Sequence, residues 1–380
     1  MDIKNLIHKG VLAQRLRSGK LAQLNHKAEA HMNAAADKFD QLFKIPVIQG
    51  PMAGGSCTPE LIAAVSNGGG LGSLPGSLLS PSAIAEQVAR VRQLTDQPFL
   101  MNFFVQDAPT PAMDEISRGV ELLRPVWESL GWSALPVPAQ WCQDFAPQFD
   151  MLLALRPAAA SFTFDILSAE QVERLHHAGI LVIGTVTTVE EALAWEAIGA
   201  DAVVASGVEA GGHRGTFIGR QEDASLSAKQ LWPLVAQAVK IPVIAAGGIM
   251  SGADIKQALA LGARAVQMGT AFLATDEAGI HPAYKQRLLS PGQRTRLTRS
   301  FSGRYARGIE NRFMQLMEAV EQQVPAYPIQ NALTGSIRSA ATASGDTELM
   351  SMWAGAEVAR SRAMPAAQLM QTLAAEMRAA

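Results

Sequence analysis

Cysteine, charge and long apolar runs are all scarce in this chain. Its 380 residues hold only two cysteines, Cys57 and Cys142, so no disulfide framework forms, and neither has the spacing of a metal-ligand set. Charged residues make up 17% and the formal net charge is −2, which gives no electrostatic ground for binding nucleic acid or an anionic membrane. No run of 18 apolar residues occurs, so no membrane-spanning helix is expected. The first residues are basic and polar without an apolar core, so no secretory signal is expected either. These absences imply a soluble, cytoplasmic protein. No GxGxxG follows the first strand, which removes the main support for a dinucleotide-binding open sheet.

What is present is a large apolar fraction, 48%, which suits a sizeable core and argues against disorder. Residues 1–42 read as an amphipathic N-terminal helical extension, with a partner subunit as one surface for it to pack on. From Ile45 the rhythm changes to short apolar strands alternating with helical stretches. The strands are Val47–Met52, Gly70–Leu74, Phe99–Val105, Ser161–Asp165, Leu181–Val186, Ala202–Gly207, Pro242–Gly248 and Ala265–Leu273. They are continuously apolar, as strands buried on both faces must be. Eight such units predict an α/β fold, a (β/α)8 TIM barrel over residues 43–275. Gln106 to Ala160 is too long for one crossover and reads as a helical excursion. Residues 276–380 read as a helical C-terminal cap completing the mouth of the barrel.

In such barrels ligands sit at the C-terminal ends of the strands, and each distinctive segment falls at such an end. Gln49-Gly-Pro-Met-Ala-Gly-Gly55 follows the first strand. Its small residues suit either a flat ring lying on backbone or a plain tight turn. Cys57, just beyond, reads as a reactive thiol or as a small buried apolar residue, the second preferred. Asn102 places an amide inside an apolar strand, where it needs a partner in a ring edge or a neighbouring loop. Gly247 and Gly248 end the seventh strand, and Gln267-Met-Gly-Thr270 ends the eighth. Backbone N–H groups at Gly247, Gly248, Gly269 and Thr270 form an expected phosphate cradle, for a cofactor or for a phosphorylated substrate.

The densest signal is Ser206-Gly-Val-Glu-Ala-Gly-Gly-His-Arg-Gly-Thr-Phe217. His213 stands in a glycine-rich loop directly after a buried strand, where an imidazole can do proton chemistry near neutral pH. His176 and His177 read instead as surface residues favourable to a helix C-terminus. Arg214 suits an anionic substrate group, a phosphate, or an ion pair with Glu209. Glu209 is alternatively a cap of the glycine loop.

These segments resemble the nitronate monooxygenases, formerly called 2-nitropropane dioxygenases. The resemblance is carried by residues 50–54, 207–217, 241–249 and 266–273, and by Phe-Ser-Gly-Arg-Tyr-Ala-Arg-Gly-Ile-Glu-Asn-Arg (301–312), Tyr-Pro-Ile-Gln-Asn-Ala-Leu-Thr (327–334) and Met-Trp-Ala-Gly (352–355). It implies a (β/α)8 barrel with noncovalently bound FMN and no metal. By motif position it implies flavin contacts at Met52, Ala53, Asn102, Ser206, Gly211, Gly212, Gly247, Gly248, Gln267, Met268, Gly269 and Thr270, with His213 as the catalytic residue. The implied reaction oxidises alkyl nitronates, such as propionate 3-nitronate, with O2 to a carbonyl compound and nitrite. His213 would act as base on a neutral nitroalkane or, protonated, stabilise the nitronate anion.

Two positions depart from that pattern. Ser206 stands where the family usually has glutamine, so the flavin edge is expected to be held differently. Asp165 stands where glycine is expected, and a carboxylate near the ring would oppose anionic species. The implied partners are a small-molecule substrate and O2, with a homodimer as one option for assembly. Two alternatives stay open: an NAD(P)H-dependent flavin reductase of the enoyl-ACP type, and a catalytically altered barrel acting as a binding or assembly subunit.

Overall fold

Several outer helices of the barrel start where the sequence supplies a cap. Thr58 and Ser80 accept hydrogen bonds from Leu61 N and Ala83 N, each with proline at the first helical position, for Pro59–Asn67 and Pro81–Leu94. Ser168 with Gln171 and Ser251 with Asp254 form reciprocal capping boxes for Ala169–His177 and Gly252–Ala260. Such pairs satisfy N–H groups that a helix leaves open at its start.

The computed structural model describes residues 37–380. Contacts divide the chain into two units, Met1–Gln41 and Leu42–Ala380. The helical extension expected over residues 1–42 lies almost wholly outside the described residues. In the second unit the strands are β1 (Val47–Gln49), β2 (Gly72–Pro75), β3 (Phe99–Phe104), β4 (Ala159–Thr163), β5 (Leu181–Val186), β6 (Ala202–Ser206), β7 (Gly212–His213), β8 (Val243–Ala246), β9 (Ala265–Met268), β10 (Thr295–Thr298) and β11 (Ala306–Ile309). Eight of them form a parallel sheet in the order β1-β9-β8-β6-β5-β4-β3-β2. A parallel bridge between Ile48 and Leu71 joins its two ends, so the sheet closes into the expected barrel. All five residues of β6 are buried, as its unbroken apolar run requires.

The structure revises details of the sequence reading. The first strand stops at Gln49: Gly50 N still donates to Met268 O, but Pro51 has no N–H to carry the ladder on. The last stops at Met268, and Thr270–Leu273 forms one helical turn instead. A strand that periodicity did not predict, β7, leaves the barrel after β6. It pairs antiparallel with β11, which pairs with β10, in a separate three-stranded sheet.

Two apolar cores coexist. One lies between the barrel and its helices; the other joins the excursion (Ile116, Val126, Trp127) to residues 273–358, with Phe301, Phe313 and Leu333 at its centre. The final helix, Ala366–Ala379, belongs to the first core through Leu369, Met370 and Leu373. Its Glu376 accepts a 2.8 Å hydrogen bond from Gly252 N. The last helix thus covers barrel wall that the single turn after β9 leaves open.

Candidate active site

At the C-terminal ends of β8 and β9 the backbone leaves a set of free donors. Ala246 pairs with Gln267 across these strands, so Gly247-Gly248 and Gly269-Thr270 lie side by side. Among the described residues, no hydrogen bond within the chain engages the amides of these four. Gly247 and Gly248 hold φ values of 111° and 73°, a region in which a side chain is strained. The Thr270 hydroxyl is occupied, accepting from Gly355 N at 2.9 Å. Beside the glycines is a cavity of about 260 Å³, whose walls include Glu209, Lys229, Asp254, Glu357 and Arg360. Two of its carboxylates are committed: Glu209 accepts from Ala228 N, and Asp254 from Arg360 and the amides of Met250 and Ser251. Free amides at a strand end of this kind can hold an anion.

Around the mouth, polar side chains replace the apolar lining. Asn102 Nδ2 donates to Ser161 Oγ at 2.9 Å and Ser161 O at 3.3 Å, so β4 satisfies the donors and Oδ1 remains as an acceptor. Thr163 and Thr185 are 3.1 Å apart one strand further on. Met52 and Ala53 are half-buried after β1, with Met52 Sδ facing Gly269. Ser206 ends β6, and its carbonyl accepts from Arg214 at 2.9 Å. Gly211 owes its lack of a side chain to packing: a Cβ there would lie 2.6 Å from Ala354 C and Gly355 N.

His213 sits on β7 opposite Ala306. Its Nε2 is 2.8 Å from Ser302 Oγ, and that hydroxyl donates to Arg304 O at 3.0 Å. Ser302 has one proton to give, so it accepts from His213, fixing the tautomer with Nε2–H and leaving Nδ1 as the free acceptor. Four aromatic rings surround the imidazole: Phe164 at 5.5 Å, Phe104 at 6.4 Å, Tyr327 at 5.6 Å and Trp353 at 5.4 Å between centroids. Desolvation by these walls, followed by the positive charges of Arg304 and Arg338, pushes its pKa down to about 3. His213 is therefore neutral at physiological pH.

Phe164 holds a φ of 87°, a strained conformation for a bulky residue, worth on the order of 1–3 kcal/mol. Phe104 stacks on it at 4.1 Å and the Arg304 guanidinium covers it at 4.3 Å. The chain turns outward there, and this corrects the reading of Asp165. That carboxylate is exposed and accepts from Ile166 N rather than lining a ring site.

Arg214 is corrected too. It is buried, and its guanidinium donates to the carbonyls of Ser206, Gly207 and Ala224. It clamps the glycine loop from behind and takes neither an anion nor Glu209. Glu209 caps the helix Ala228–Ala238 and not its own loop. His176, read as a surface residue, reaches buried Asp201 at 2.9 Å.

Cys57 resolves toward structure. Its Sγ accepts from Met52 N at 3.1 Å and Gln49 Nε2 at 2.9 Å, holding the Gly50–Met52 turn, and burial pushes the thiol up to about 12. A thiol so protonated is a poor nucleophile. Iodoacetamide at pH 7.5 is expected to leave Cys57 unmodified in the folded protein and to alkylate it in urea. Mass spectrometry of the Cys57 peptide checks this, and rapid native labelling would contradict it.

Sequence reasoning missed Ser302, Arg304, Tyr327 and Trp353 as individuals, although its motifs contained all four. It gave Phe104 and Phe164 no role beyond their strands and missed Arg338 entirely. The aromatic and basic character of 301–312 and 327–334 was the available signal. Among the described residues no cluster of metal-ligating side chains occurs, and no helix is long and apolar enough to cross a membrane.

Comparison with known proteins places this geometry. A family model described as nitronate monooxygenase matches residues 37–376. A probable nitronate monooxygenase of Bacillus subtilis (strain 168) is 42% identical over 326 residues, covering 85% of this chain and 92% of the relative. One of Staphylococcus haemolyticus (strain JCSC1435) is 40% identical, covering 88% and 94%. Among solved structures, nitroalkane oxidase from Streptomyces ansochromogenes superposes with a TM-score of 0.83 at 41% identity, covering 90% of this chain and 98% of that one. FabK from Thermotoga maritima is further away, with a TM-score of 0.70 at 28% identity over 90% and 96%. The chain belongs to the nitronate monooxygenase family.

Proposed function

We propose that this protein oxidises alkyl nitronates with O2 to a carbonyl compound and nitrite, using noncovalently bound FMN. The observation that carries this reading is a neutral imidazole, walled by aromatic rings and within electrostatic reach of two half-buried guanidiniums, at the mouth of a barrel with a free amide cradle. A nitronate is an anion that no longer needs a strong base, and such a site suits it. The relatives' names, nitronate monooxygenase and nitroalkane oxidase, support the same class of substrate.

The residues present fit the cofactor. Gly247, Gly248, Gly269 and Thr270 would hold its phosphate through N–H groups that nothing in the chain engages. Met52, Ala53, Asn102, Ser206, Gly211, Gly212, Gln267 and Met268 would border its ring, with Asn102 Oδ1 as a buried acceptor. Bound FMN would supply the electron acceptor between substrate and O2. Phe104, Phe164, Tyr327 and Trp353 exclude water, which strengthens every charge interaction inside. His213 Nδ1 accepts a hydrogen bond or a proton on the substrate side, while Ser302 holds the ring in orientation.

The test is nitrite release from a preformed nitronate in air by purified yellow protein. Because His213 stays neutral down to about pH 3, kcat/KM for a preformed nitronate is expected to be flat between roughly pH 6 and 8, with no histidine limb. A limb near 6.5 would show His213 titrating and remove the electrostatic argument. Anaerobic NADH or NADPH tests the reductase alternative, since rapid bleaching of the flavin would overturn the monooxygenase reading.

A further inference from the structure

A short segment of the cap crosses the amide cradle. Trp353 bridges to Gly308 of β11, and Ala354 N donates to Arg307 O at 3.2 Å. The chain then runs between the strand-end loops: Gly355 N donates to Thr270 Oγ1 at 2.9 Å and Ala356 N to Glu209 O at 2.9 Å. Gly355 has no room for a side chain, since a Cβ there would lie 2.8 Å from Glu209 O. Two residues on, Glu357 Cγ lies 3.6 Å from where a Gly248 Cβ would stand. The segment therefore touches both turns whose amides are free, Gly247-Gly248 and Gly269-Thr270. Glu357 and Arg360 also wall the cavity beside those glycines.

Its far end is fastened differently. Val358–Arg360 is a single 3₁₀ turn, and Val358 is fully buried in the apolar core of the cap. The Arg360 guanidinium grips both oxygens of Asp254, through Nη2 at 2.6 Å and Nη1 at 3.3 Å, and Nη2 also donates to Ser251 Oγ at 3.1 Å. Arg362 follows, donating to Glu376 Oε1 at 2.6 Å and to Met250 O at 2.7 Å. Both ends of 354–362 are thus tied down. Its middle is held over the cradle by two backbone bonds, one valine and one ion pair. The Arg360 and Asp254 side chains are 40% and 24% exposed, so solvent and salt reach that pair. Opening the middle exposes Val358, a cost that keeps the open form a minor one.

We infer that residues 354–362 form a latch over the cofactor phosphate: FMN enters and leaves only when the latch lifts, and Arg360 fastens it to Asp254 without touching the flavin. This rests on the FMN reading above. A gate limits entry and exit through one opening equilibrium, so loosening it speeds both and leaves affinity where it was. A segment that itself bound the flavin would lose affinity when weakened.

Arg360→Lys keeps the positive charge beside the phosphate but gives up the two-pronged grip on Asp254. Val358→Ala weakens the closed form through an unrelated apolar contact. Both are compared with the wild-type holoenzyme, and either carries the comparison if the other fails to fold. Flavin fluorescence follows FMN release on dilution and FMN uptake by the apoprotein. The two rates are expected to rise together, about fivefold in Arg360→Lys and about tenfold in Val358→Ala, with dissociation constants within about twofold of wild type. Amide hydrogen exchange in the apoprotein reads the latch without flavin, and peptides holding Gly355 and Ala356 are expected to exchange faster by the same factors. Faster release without faster uptake would make the segment part of the flavin's binding surface and overturn the gate, as would unchanged rates in both variants. Protein that takes up no FMN yet shows the faster amide exchange would defeat the cofactor reading and leave the opening of 354–362 standing.

Discussion

Replacing Gly248 with aspartate is expected to give folded, colourless protein. The residue holds a φ of 73°, and a left-handed conformation costs a non-glycine residue about 1–2 kcal/mol. Electrostatic repulsion costs more. A carboxylate about 4 Å from a phosphate charge costs about 4 kcal/mol at an effective dielectric near 20, roughly a thousandfold in affinity. Gly248→Ala separates the two effects. A Cβ there meets Glu357 Cγ at 3.6 Å and Glu209 Cβ at 3.8 Å, both ordinary contacts, so only strain is added and about a tenfold loss is expected. Visible absorbance after desalting and FMN titration of the apoprotein give the two dissociation constants. Stoichiometric flavin in Gly248→Asp would remove the amide cradle from the phosphate and with it the proposed cofactor geometry.

Removing the imidazole is expected to divide the two substrate classes. In His213→Ala, any turnover of a neutral nitroalkane loses its proton acceptor, about 10²-fold, the lower end of a general base's contribution, because a base titrating near 3 lies far from the operating pH. Oxidation of a preformed nitronate loses only a positioning contact and falls about tenfold. Ser302→Ala frees the tautomer and is expected to act in the same direction with smaller size, because Ser302 is what directs Nε2–H away from the substrate. Nitrite release from matched nitroalkane and nitronate solutions, with flavin content and melting temperature held as controls, reads the split. Identical losses on both substrates would show that His213 moves no proton. The same replacement alters acid stability. An unfolded histidine titrates near 6.5, whereas the folded one resists protonation down to about 3. The unfolded chain then binds the extra proton, and stability present above pH 6.5 is lost progressively as the pH falls toward 3. His213→Ala removes that loss, which melting curves at pH 7 and 4.5 compare.

The sequence by itself determined the elements that depend on neighbours along the chain. Unbroken apolar runs such as Ala202–Ser206 had to be strands buried on both faces, and Ser-x-x-Gln or Thr-Pro starts had to open helices. Eight repeats of that unit left a closed parallel barrel as the economical arrangement, and glycines at two adjacent strand ends marked where backbone amides would be free for an anion. His213 was legible for the same local reason, being a titratable group in a loop too glycine-rich to be a mere connector.

The tertiary structure decided which side chains meet. His213 and Ser302 are 89 residues apart and come together only because β7 pairs with β11, and a two-residue strand leaves no periodicity to read. Arg214 and Asp165 were misread because sequence gives a side chain's chemistry but not its direction: one points inward to carbonyls, the other out to solvent. Arg338 carried no signal at all. Its guanidinium is tied to Asn331 and Thr334, a direction that only the folded chain fixes.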